Sequence, residues 1–446
     1  MRGHLRFFLI ATAAAFALRL LLVWKFRFVT GDSFIYGDMA KNWLLHGTFA
    51  TTNDGVIVPT FIRLPGYPAF LAAVWKLAGV EHYNAVIFIQ IFIDVGTCFL
   101  TCALALRVIG RRAALAAFLF AALCPFTANY VVTPLTETLS IFFATLTFLC
   151  AVDALDRAEF AWRWWIGCGL AIAASILLRP DGGLLLPAVA GYLVLRPSQR
   201  WRDFTAAVLV SVVALAPLVP WTVRNWQVFH RFQPLAPRYA TSPDEYLPLG
   251  FIKWARTWVM DYTSVEDVLW KVPGEKIDIN TLPPRAFDKA SQRDETSRLL
   301  DEYDSTLAAL TPEQDSQFDA LAEQRIEHSS FRYYVWLPAV RVADMWLRPR
   351  EEALPIDPHW WRYKKDRHDA VIGVALGLLN LVLVVAAIIG VCRHKVHYLW
   401  LFVLWVLLRC VLLATLENPE TRYTLECYSL VLAFAAANFE RKSDHR

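Results

Sequence analysis

Two aspartates and an arginine stand close together early in the chain, just after its first apolar run. Asp32 follows that run, Asp38 lies six residues further on, and Arg63 begins the sequence Arg-Leu-Pro-Gly-Tyr-Pro. Apolar surroundings raise the pKa of a carboxyl group and nearby cations lower it, so an acid beside a membrane helix can accept a proton. Asp32 is the first candidate for a catalytic base. Asp38 is also a candidate, but it ranks below Asp32 because it falls on a different helical face from Asp32.

Asp32 also has a purely structural interpretation. Its side chain would cap a helix that starts near Ser33, and a cap does not exclude catalysis. Glu137 follows the sequence Thr-Pro-Leu-Thr and opens a later apolar run, where a carboxylate also favours the helix dipole. Ionisable groups at a membrane boundary are costly, however, and this indicates a catalytic use for Glu137.

Arginine is the natural partner of a phosphate, because its planar fork makes paired, charge-assisted hydrogen bonds. Arg63, Arg179, Arg224 and Arg422 lie in connections that are predicted to share the non-cytoplasmic face of the membrane. Each arginine alone could instead be an interfacial anchor that extends to the lipid headgroups. Together they predict a site for an anionic headgroup, with loop prolines restraining their positions.

The composition is that of a membrane protein. The chain has 446 residues, of which 57% are hydrophobic and 19% charged, and its mean hydropathy is +0.38. It is therefore too apolar for an ordinary soluble protein, and its 18 Trp and 29 Phe suit two lipid interfaces. The net charge of +4 gives no indication of a nucleic-acid partner. The eight cysteines fall in or beside apolar runs, which is typical of buried thiols rather than disulfides.

Apolar runs predict an all-α fold with about ten transmembrane helices. The predicted spans are Leu5–Trp24, Tyr83–Leu106, Ala113–Thr127, Glu137–Asp153, Trp162–Leu178, Gly182–Leu195, Phe204–Pro220, Ala370–Val391, Tyr398–Leu416 and Thr424–Asn438. The predicted domains are a transmembrane domain over 1–220, an extramembrane insert over 221–369, and C-terminal transmembrane helices over 370–446. The first outer loop, 25–82, should carry the catalytic acid and interfacial helices.

Positive charges in short connections predict the orientation. The cation-rich connections and termini contain Arg2, Arg6, Arg107, Arg157, Arg196, Arg393, Arg441, Lys442 and Arg446. The opposite short connections contain only Arg179 and Arg422. Both termini are therefore predicted to be cytoplasmic, and the candidate residues to share the opposite face.

The insert is predicted to be mainly helical. A charged helical part covers Arg285–Leu310, and the sequence Thr311-Pro-Glu-Gln predicts the start of a second helix that runs to about Leu347. The apolar end of this helix, from Phe331 to Trp346, is expected to lie along the membrane interface. The insert contains no metal-ligand spacing, phosphate loop or nucleophile elbow. We expect it to have a structural or acceptor-docking role.

Several short motifs follow one another in a fixed order. They are Gly31-Asp-Ser-Phe-Ile-Tyr36, Ala40-Lys-Asn-Trp-Leu-Leu-His-Gly47, Arg63-Leu-Pro-Gly-Tyr-Pro-Ala-Phe-Leu71, Leu135-Thr-Glu137, Leu178-Arg-Pro180, Pro220-Trp-Thr-Val-Arg-Asn225 and Arg422-Tyr423. This order resembles the GT-C membrane glycosyltransferases, and in particular the branch with protein O-mannosyltransferases and the aminoarabinose transferase of lipid A. The resemblance covers most of the membrane part and fades in the insert. The late motif, Pro-Glu-Thr-Arg-Tyr, departs from the compact Pro-Arg-Tyr of the family.

The resemblance implies a role for each matching position. Asp32 corresponds to the catalytic acid of the first loop and Glu137 to the acid of the second loop. Arg63 stands where some members contact the lipid phosphate, and Arg422 with Tyr423 corresponds to a pair near the donor headgroup. No cofactor is expected to be required, and a divalent metal is allowed but not expected.

The implied reaction moves a hexose or pentose from a polyprenyl-phosphate carrier, such as undecaprenyl phosphate, to an acceptor hydroxyl. The acceptor is expected to be a lipid, a glycan or a protein. Because the sequence shows no organelle signal, we expect the site to face the periplasm of a bacterial inner membrane. Attack opposite the leaving phosphate would invert the anomeric centre. Asp32 would take the proton, while Arg63 and Arg422 stabilise the phosphate charge.

Two other functional classes fit some of these features. Arginines on one face would also suit a transporter or flippase for a lipid-linked sugar or a related anion. The sequence does not favour a transporter, because we see no mid-membrane charge pair, inverted halves or broken helix pair. A non-catalytic membrane scaffold would leave Asp32 and Glu137 without a role.

Overall fold

A computed structural model describes residues 4–29, 31–196, 200–240, 245–306, 308–362 and 367–441. Three of the cations used to predict the orientation, Arg2, Lys442 and Arg446, lie outside the described residues.

The membrane part begins with helices joined by short connections, apart from a longer loop after the first helix. Their bounds are α1 Leu5–Phe26, α2 Gly31–His46, α3 Gly66–Ala78, α4 Tyr83–Val108, α5 Arg111–Leu123, α6 Pro125–Asn129, α7 Glu137–Leu155, α8 Trp162–Leu178, α9 Leu185–Leu195, α10 Arg200–Leu215 and α11 Leu218–Phe229. The insert follows with α12 Leu249–Arg256, α13 Tyr262–Asp267, α14 Ala290–Ser305, α15 Pro312–His328 and α16 Leu337–Leu347. The C-terminal helices are α17 Arg367–Arg393, α18 Leu399–Ala414 and α19 Tyr428–Ala436.

Helices lie at each of the ten predicted span positions, but they differ in length. Within the described residues, six helical segments are long and apolar enough to cross a membrane, and three further apolar helices have 10–17 residues. At the last position, α19 has only nine residues. Six crossings are therefore supported by length and composition, and the number ten stays a prediction. Two of the six long segments are interrupted by proline, at Pro125 and at Pro217.

Connections rich in cations meet at one end of the helix bundle, which we call the Arg107 end. The His397 N–H donates to the Val108 carbonyl at 2.8 Å, and the Tyr398 hydroxyl donates to Asp156 at 2.6 Å. The Glu440 carboxylate accepts from the Arg112 N–H at 3.0 Å. The cation-rich and cation-poor connections thus lie at two different ends of one bundle.

A buried ion pair joins α1 to α4 within the membrane part, so the sequence-based statement that no span contains a mid-membrane charge pair was wrong. The Arg19 Nε donates to the Asp94 carboxylate at 2.7 Å, and the Arg19 side chain has no exposed surface. The same guanidinium donates to the carbonyls of Ala121 and Ala122 at the end of α5. Pro125 has no N–H to offer the Ala121 carbonyl, so Arg19 satisfies a helix end that proline leaves open.

The first outer loop contains the two expected helices, α2 and α3, and also a β-hairpin that departs from the all-α prediction. Strands β1 Ala50–Asn53 and β2 Val56–Pro59 pair antiparallel, with Ala50 opposite Pro59. The turn between them has positive φ at Asp54 and Gly55, as a two-residue hairpin turn requires. The loop folds back on itself, which brings Arg63 towards the start of α2.

The insert has its own hydrophobic core, formed by α12, α14 and α15 around Trp254, Trp258 and Phe318. Its second helix begins as predicted, because Thr311 and Gln314 form a reciprocal capping box. The helix does not continue to Leu347, however. Ser329 leaves the helical conformation, and a π-helical turn at Arg332–Trp336 leads into the separate helix α16.

Candidate active site

Six of the predicted site residues come together at the end of the bundle opposite the Arg107 end, which we call the Asp32 end. They are Asp32, Arg63, Glu137, Arg179, Arg422 and Tyr423. The contributing elements are α2, the loop before α3, the start of α7, the connection after α8, and the 3-10 segment Thr421–Cys427. Asp32 and Arg422 are 390 positions apart in the sequence, yet their charged groups lie 3.6 Å from each other.

Asp32 is held between two arginines. Its Oδ1 accepts a hydrogen bond from Arg63 Nη2 at 3.1 Å, and its Oδ2 lies 3.6 Å from Arg422 Nη1. Burial raises the pKa of Asp32, but Arg422 and Arg63 outweigh that effect and hold the pKa below its ordinary value. Asp32 is therefore ionised at neutral pH. The side chain keeps about a third of its surface exposed, so it remains within reach of a substrate.

Glu137 lies behind Asp32 and shares one of its arginines. Its Oε1 lies 3.1 Å from Arg179 Nη1 and 3.8 Å from Arg422 Nη1, and its side chain is 4% exposed. The Oε2 atom has no hydrogen-bond partner among the described residues. Arg422 thus bridges the two candidate acids. Because Glu137 is buried, it is suited to fix the position of the arginines.

Further charges extend this arrangement into the protein. Arg179 also binds Asp181 at 3.1 Å, and Asp181 in turn binds the fully buried Arg409, which pairs with Glu426. We use the name charge network for Asp32, Arg63, Glu137, Arg179, Asp181, Arg409, Glu420, Arg422 and Glu426. It contains four arginines and five carboxylates, so every arginine is compensated. The cationic site expected from the sequence is therefore close to neutral.

Tyr423 packs against this network through its ring. The guanidinium carbons of Arg179 and Arg422 lie 5.2 and 5.6 Å from the ring centroid, within the range of a cation–π contact. The Tyr423 hydroxyl donates to Glu420, which also pairs with Arg422 at 2.6 Å. Burial raises the pKa of Glu420, while Arg422 opposes that rise. Tyr423 therefore orients Arg422 from one side.

The insert also reaches the site, which the sequence did not predict. Glu352 accepts hydrogen bonds from the backbone N–H groups of Thr421 and Arg422, the second at 2.9 Å, and from the Tyr130 hydroxyl at 2.7 Å. Arg350 donates to the Thr421 carbonyl at 2.7 Å. The segment Arg350–Glu352 thus holds the backbone that carries Arg422. The sequence signal was the Arg-Glu-Glu run after the apolar part of the insert.

Two predicted site residues do not join the network. Asp38 accepts from the Thr52 N–H at 2.5 Å and from its hydroxyl at 2.8 Å, so it ties α2 to the β-hairpin. Arg224 donates to the carbonyls of Phe49 and Thr60 at 2.7 Å each. Both side chains hold the first outer loop in place, and a role in catalysis or phosphate binding has no geometric support for either.

The described residues contain no group of three or more His, Cys, Asp or Glu side chains that could hold a metal ion. Each acid of the charge network is paired with at least one arginine.

Comparisons with known proteins give a family match over part of the chain. The family model for dolichyl-phosphate-mannose-protein mannosyltransferases matches residues 59–223, which include Arg63, Glu137 and Arg179. No curated protein sequence matches the chain.

Solved structures are similar in fold. The archaeal oligosaccharyltransferase AglB from Archaeoglobus fulgidus, solved with an inhibitory peptide and a dolichol-phosphate, matches with a TM-score of 0.53 and 14% identity. The match covers 97% of this chain and 50% of AglB, so the chain spans about half the length of that protein. ArnT from Cupriavidus metallidurans, bound to undecaprenyl phosphate, matches at a TM-score of 0.42 and 11% identity over 97% of this chain and 76% of ArnT. The latter similarity is too low to carry an argument. The chain has the GT-C fold, as its motifs implied.

Proposed function

We propose that this GT-C protein transfers a sugar from a polyprenyl-phosphate carrier to an acceptor hydroxyl at the Asp32 end of the bundle. The observation that carries the proposal is the position of Asp32 between Arg63 and Arg422. A carboxylate that can accept a proton and two arginines that can bind a phosphate are adjacent, as such a transfer requires. The match to the mannosyltransferase family model supports the same reaction class.

The pairing of Asp32 explains how the site would respond to a donor. In the free protein, Arg63 and Arg422 compensate the Asp32 charge and keep its pKa low. A donor phosphate competes for the same two guanidinium groups, because arginine binds phosphate oxygens in paired hydrogen bonds. Asp32 would then lose part of its compensation and its pKa would rise. Donor binding would therefore make Asp32 a stronger base at the moment when it is needed.

The proposed chemical step balances as a displacement at the anomeric carbon. The acceptor oxygen forms a bond to that carbon and gives its proton to the Asp32 carboxylate. The bond between the carbon and the phosphate oxygen breaks, and its electron pair leaves with the carrier phosphate. Arg63 and Arg422 stabilise the charge that develops on this phosphate, so it needs no proton. Attack opposite the leaving group inverts the anomeric centre.

The carrier, sugar, acceptor and membrane side that we propose are those predicted from the sequence. The carrier is a polyprenyl phosphate such as undecaprenyl phosphate, the sugar a hexose or pentose, and the acceptor a lipid, glycan or protein hydroxyl. AglB, which shares the fold, was solved with a dolichol-phosphate, and this supports a carrier of that class. The Asp32 end faces the periplasm of a bacterial inner membrane in this proposal, and both termini are cytoplasmic. No metal is required, because arginines stabilise the leaving phosphate.

A transporter or flippase for a lipid-linked sugar is the second candidate. The buried pair of Arg19 and Asp94, together with the interrupted helix at Pro125, are features that membrane transporters also use. Here, however, the Arg19 guanidinium is occupied by carbonyls at the end of α5. The pair therefore has a structural explanation that does not involve transport.

Purified protein incubated with a labelled polyprenyl-phosphate sugar separates the two candidates. An enzyme releases free carrier phosphate and attaches the label to an acceptor hydroxyl. A flippase in sealed vesicles moves the intact donor from one leaflet to the other without breaking it. Movement of intact donor with no release of carrier phosphate, in the presence of a suitable acceptor extract, would contradict the proposed transfer.

A further inference from the structure

A second group of arginines lies where the insert meets the membrane helices. Arg238 Nη2 donates to the Glu417 carboxylate at 2.7 Å, and Arg256 Nη1 lies 3.6 Å from the same oxygen. Arg341 donates to the backbone carbonyls of Val259 and Arg256. We use the name insert arginine cluster for Arg238, Arg256, Arg341 and Glu417.

The insert arginine cluster carries excess positive charge. Among the described residues, Glu417 is the only carboxylate in ion-pair contact with the cluster, and it pairs with Arg238 and Arg256 but not with Arg341. The Arg256 Nε and the Arg341 Nη1 atoms are buried and have no hydrogen-bond partner in the described part of the chain. A buried donor without a partner is costly, and more so when it is charged. These two atoms therefore point to an anionic ligand that completes the site.

Arg341 is the group most affected by its surroundings. Its side chain has no exposed surface. Burial and the nearby Arg256 lower the pKa of Arg341 to about 10, although Glu417 opposes this shift. The guanidinium still remains charged at neutral pH, because its pKa lies well above 7. The protein thus keeps a cation away from water beside a second cation, and an anion would relieve that arrangement.

The surface next to the cluster is apolar and aromatic. Phe331, Tyr334 and Trp336 are exposed by 68, 67 and 57%, and they precede α16, which carries Arg341. Helix α16 packs against the membrane helix α18. The ring of Tyr333 lies 5.5 Å from the Arg256 guanidinium carbon. Exposed aromatic rings of this kind settle at headgroup depth in a bilayer, which would place the arginines at the level of lipid phosphates.

We propose that the insert arginine cluster binds the phosphate of an anionic membrane lipid. The arginine forks match the oxygen geometry of a phosphate, and the neighbouring aromatic rings would contact the lipid around it. The site is distinct from the charge network, where each arginine already has a carboxylate partner. Its function does not depend on sugar transfer, because it would attach the insert to the membrane surface whichever reaction the protein performs.

The test uses the full-length protein in nanodiscs of phosphatidylcholine with a minor fraction of phosphatidylglycerol. After extraction in detergent, the phosphatidylglycerol retained per protein is measured by native mass spectrometry. We expect Arg256→Gln and Arg238→Gln to retain it about tenfold more weakly, the effect of losing one charged hydrogen bond. Arg298→Gln is the matched control, because Arg298 is an exposed arginine of the insert that pairs with Glu302.

Three results would overturn the proposal. The first is equal retention of phosphatidylglycerol by wild type and by the folded Arg238→Gln variant, whose arginine is nearly half exposed. The second is displacement of the lipid by millimolar inorganic phosphate, which would identify a site for free phosphate. The third is a selective loss of polyprenyl phosphate in Arg256→Gln with phosphatidylglycerol unchanged, which would assign the cluster to the donor site. A failure to detect sugar transfer would affect none of these measurements.

Discussion

The charge network and the insert arginine cluster both contain arginines at the same end of the bundle. They differ in how many carboxylates neutralise those arginines. The four arginines of the network face five carboxylates, whereas in the described part of the cluster only Glu417 forms ion pairs, with Arg238 and Arg256. A compensated arginine can exchange a carboxylate for a phosphate and so respond to a substrate. A cluster of arginines with too few carboxylate partners favours a permanently bound anion. The number of arginines in a sequence therefore does not distinguish a catalytic site from an anchoring site.

The largest effect is expected from Asp32→Asn. The amide cannot take the acceptor proton, so transfer should fall by about 10²–10⁴-fold, which is the usual contribution of a general base. Binding of the carrier phosphate should persist, because Arg63 and Arg422 remain. Transfer is measured with a labelled donor in purified protein, and carrier retention by mass spectrometry.

Asp54→Asn is the control for this variant. Asp54 is an exposed residue in the same outer loop, and asparagine tolerates its positive φ. Near-normal transfer by Asp32→Asn would show that the charge network does not catalyse the reaction. The distinction between a catalytic and an anchoring group of arginines would then be wrong.

Neutralising one carboxylate should lower the stability of the protein when the carboxylate belongs to the charge network. It should increase lipid retention when the carboxylate belongs to the insert arginine cluster. Glu137→Gln leaves Arg179 and Arg422 with less compensation, and we expect the free energy of unfolding to fall by about 3 kcal/mol, as for a broken buried ion pair. Glu417→Gln removes a competitor for Arg238 and Arg256, so it should strengthen retention of phosphatidylglycerol. Chemical denaturation and the nanodisc assay measure the two outcomes. If both variants lose anion binding and stability alike, the proposed difference in compensation does not exist.

Glu352→Gln tests whether the insert positions Arg422. The amide loses the charge-assisted hydrogen bonds to the backbone of Thr421 and Arg422, so Arg422 should be held less well. We expect the KM for the donor to rise about tenfold with a smaller change in kcat. Glu351→Gln is the matched control. Glu351 pairs with Arg348 at 3.0 Å, so its loss should alter stability without raising the donor KM.

The pH dependence of transfer should shift when one arginine of the network is removed. Arg422 and Arg63 hold the pKa of Asp32 below its ordinary value, so Arg63→Gln should raise it. Below its pKa Asp32 is protonated and cannot act as a base. The acid limb of kcat/KM, which reports the free enzyme, should therefore move to higher pH in Arg63→Gln. Arg27→Gln, which removes an exposed hydrogen bond to Asn84, should leave the limb in place.

The smallest effect is expected from metal removal. If arginines stabilise the leaving phosphate, transfer should be unchanged after dialysis against EDTA, and added Mg²⁺ or Mn²⁺ should not increase it. A loss of transfer that a divalent metal restores would show that the charge network needs a cation besides its arginines.

Some of the site could be predicted because local sequence carries it. Asp32, Glu137 and Arg63 stand at helix starts or between prolines, and their types suggest acid–base and phosphate chemistry without knowledge of the fold. Asp38 and Arg224 have equally suitable types. Only the structure shows that they bind the β-hairpin and its flanking carbonyls. Residue type and position along the chain do not distinguish a side chain that faces a substrate from one that holds a loop.

Other residues of the site were not predicted from the sequence, for a different reason. Glu352 belongs to the insert, and its partner Arg422 lies 70 positions away. Asp181 and Arg409 are parts of short apolar helices, where a charge first suggests a boundary or an anchor. Their roles arise from pairing across the bundle, and a pairing between distant segments leaves no local pattern in the sequence.

The amino-acid sequence by itself determined that the protein is an apolar helical bundle with acids and arginines in its loops. Burial of apolar side chains and the distribution of cations follow from residue type and spacing. The tertiary structure alone decided which arginines are compensated and which are not. Coulomb energy depends on the distance between charges, and the distances between Asp32, Glu137 and Arg422 exist only after the chain has folded.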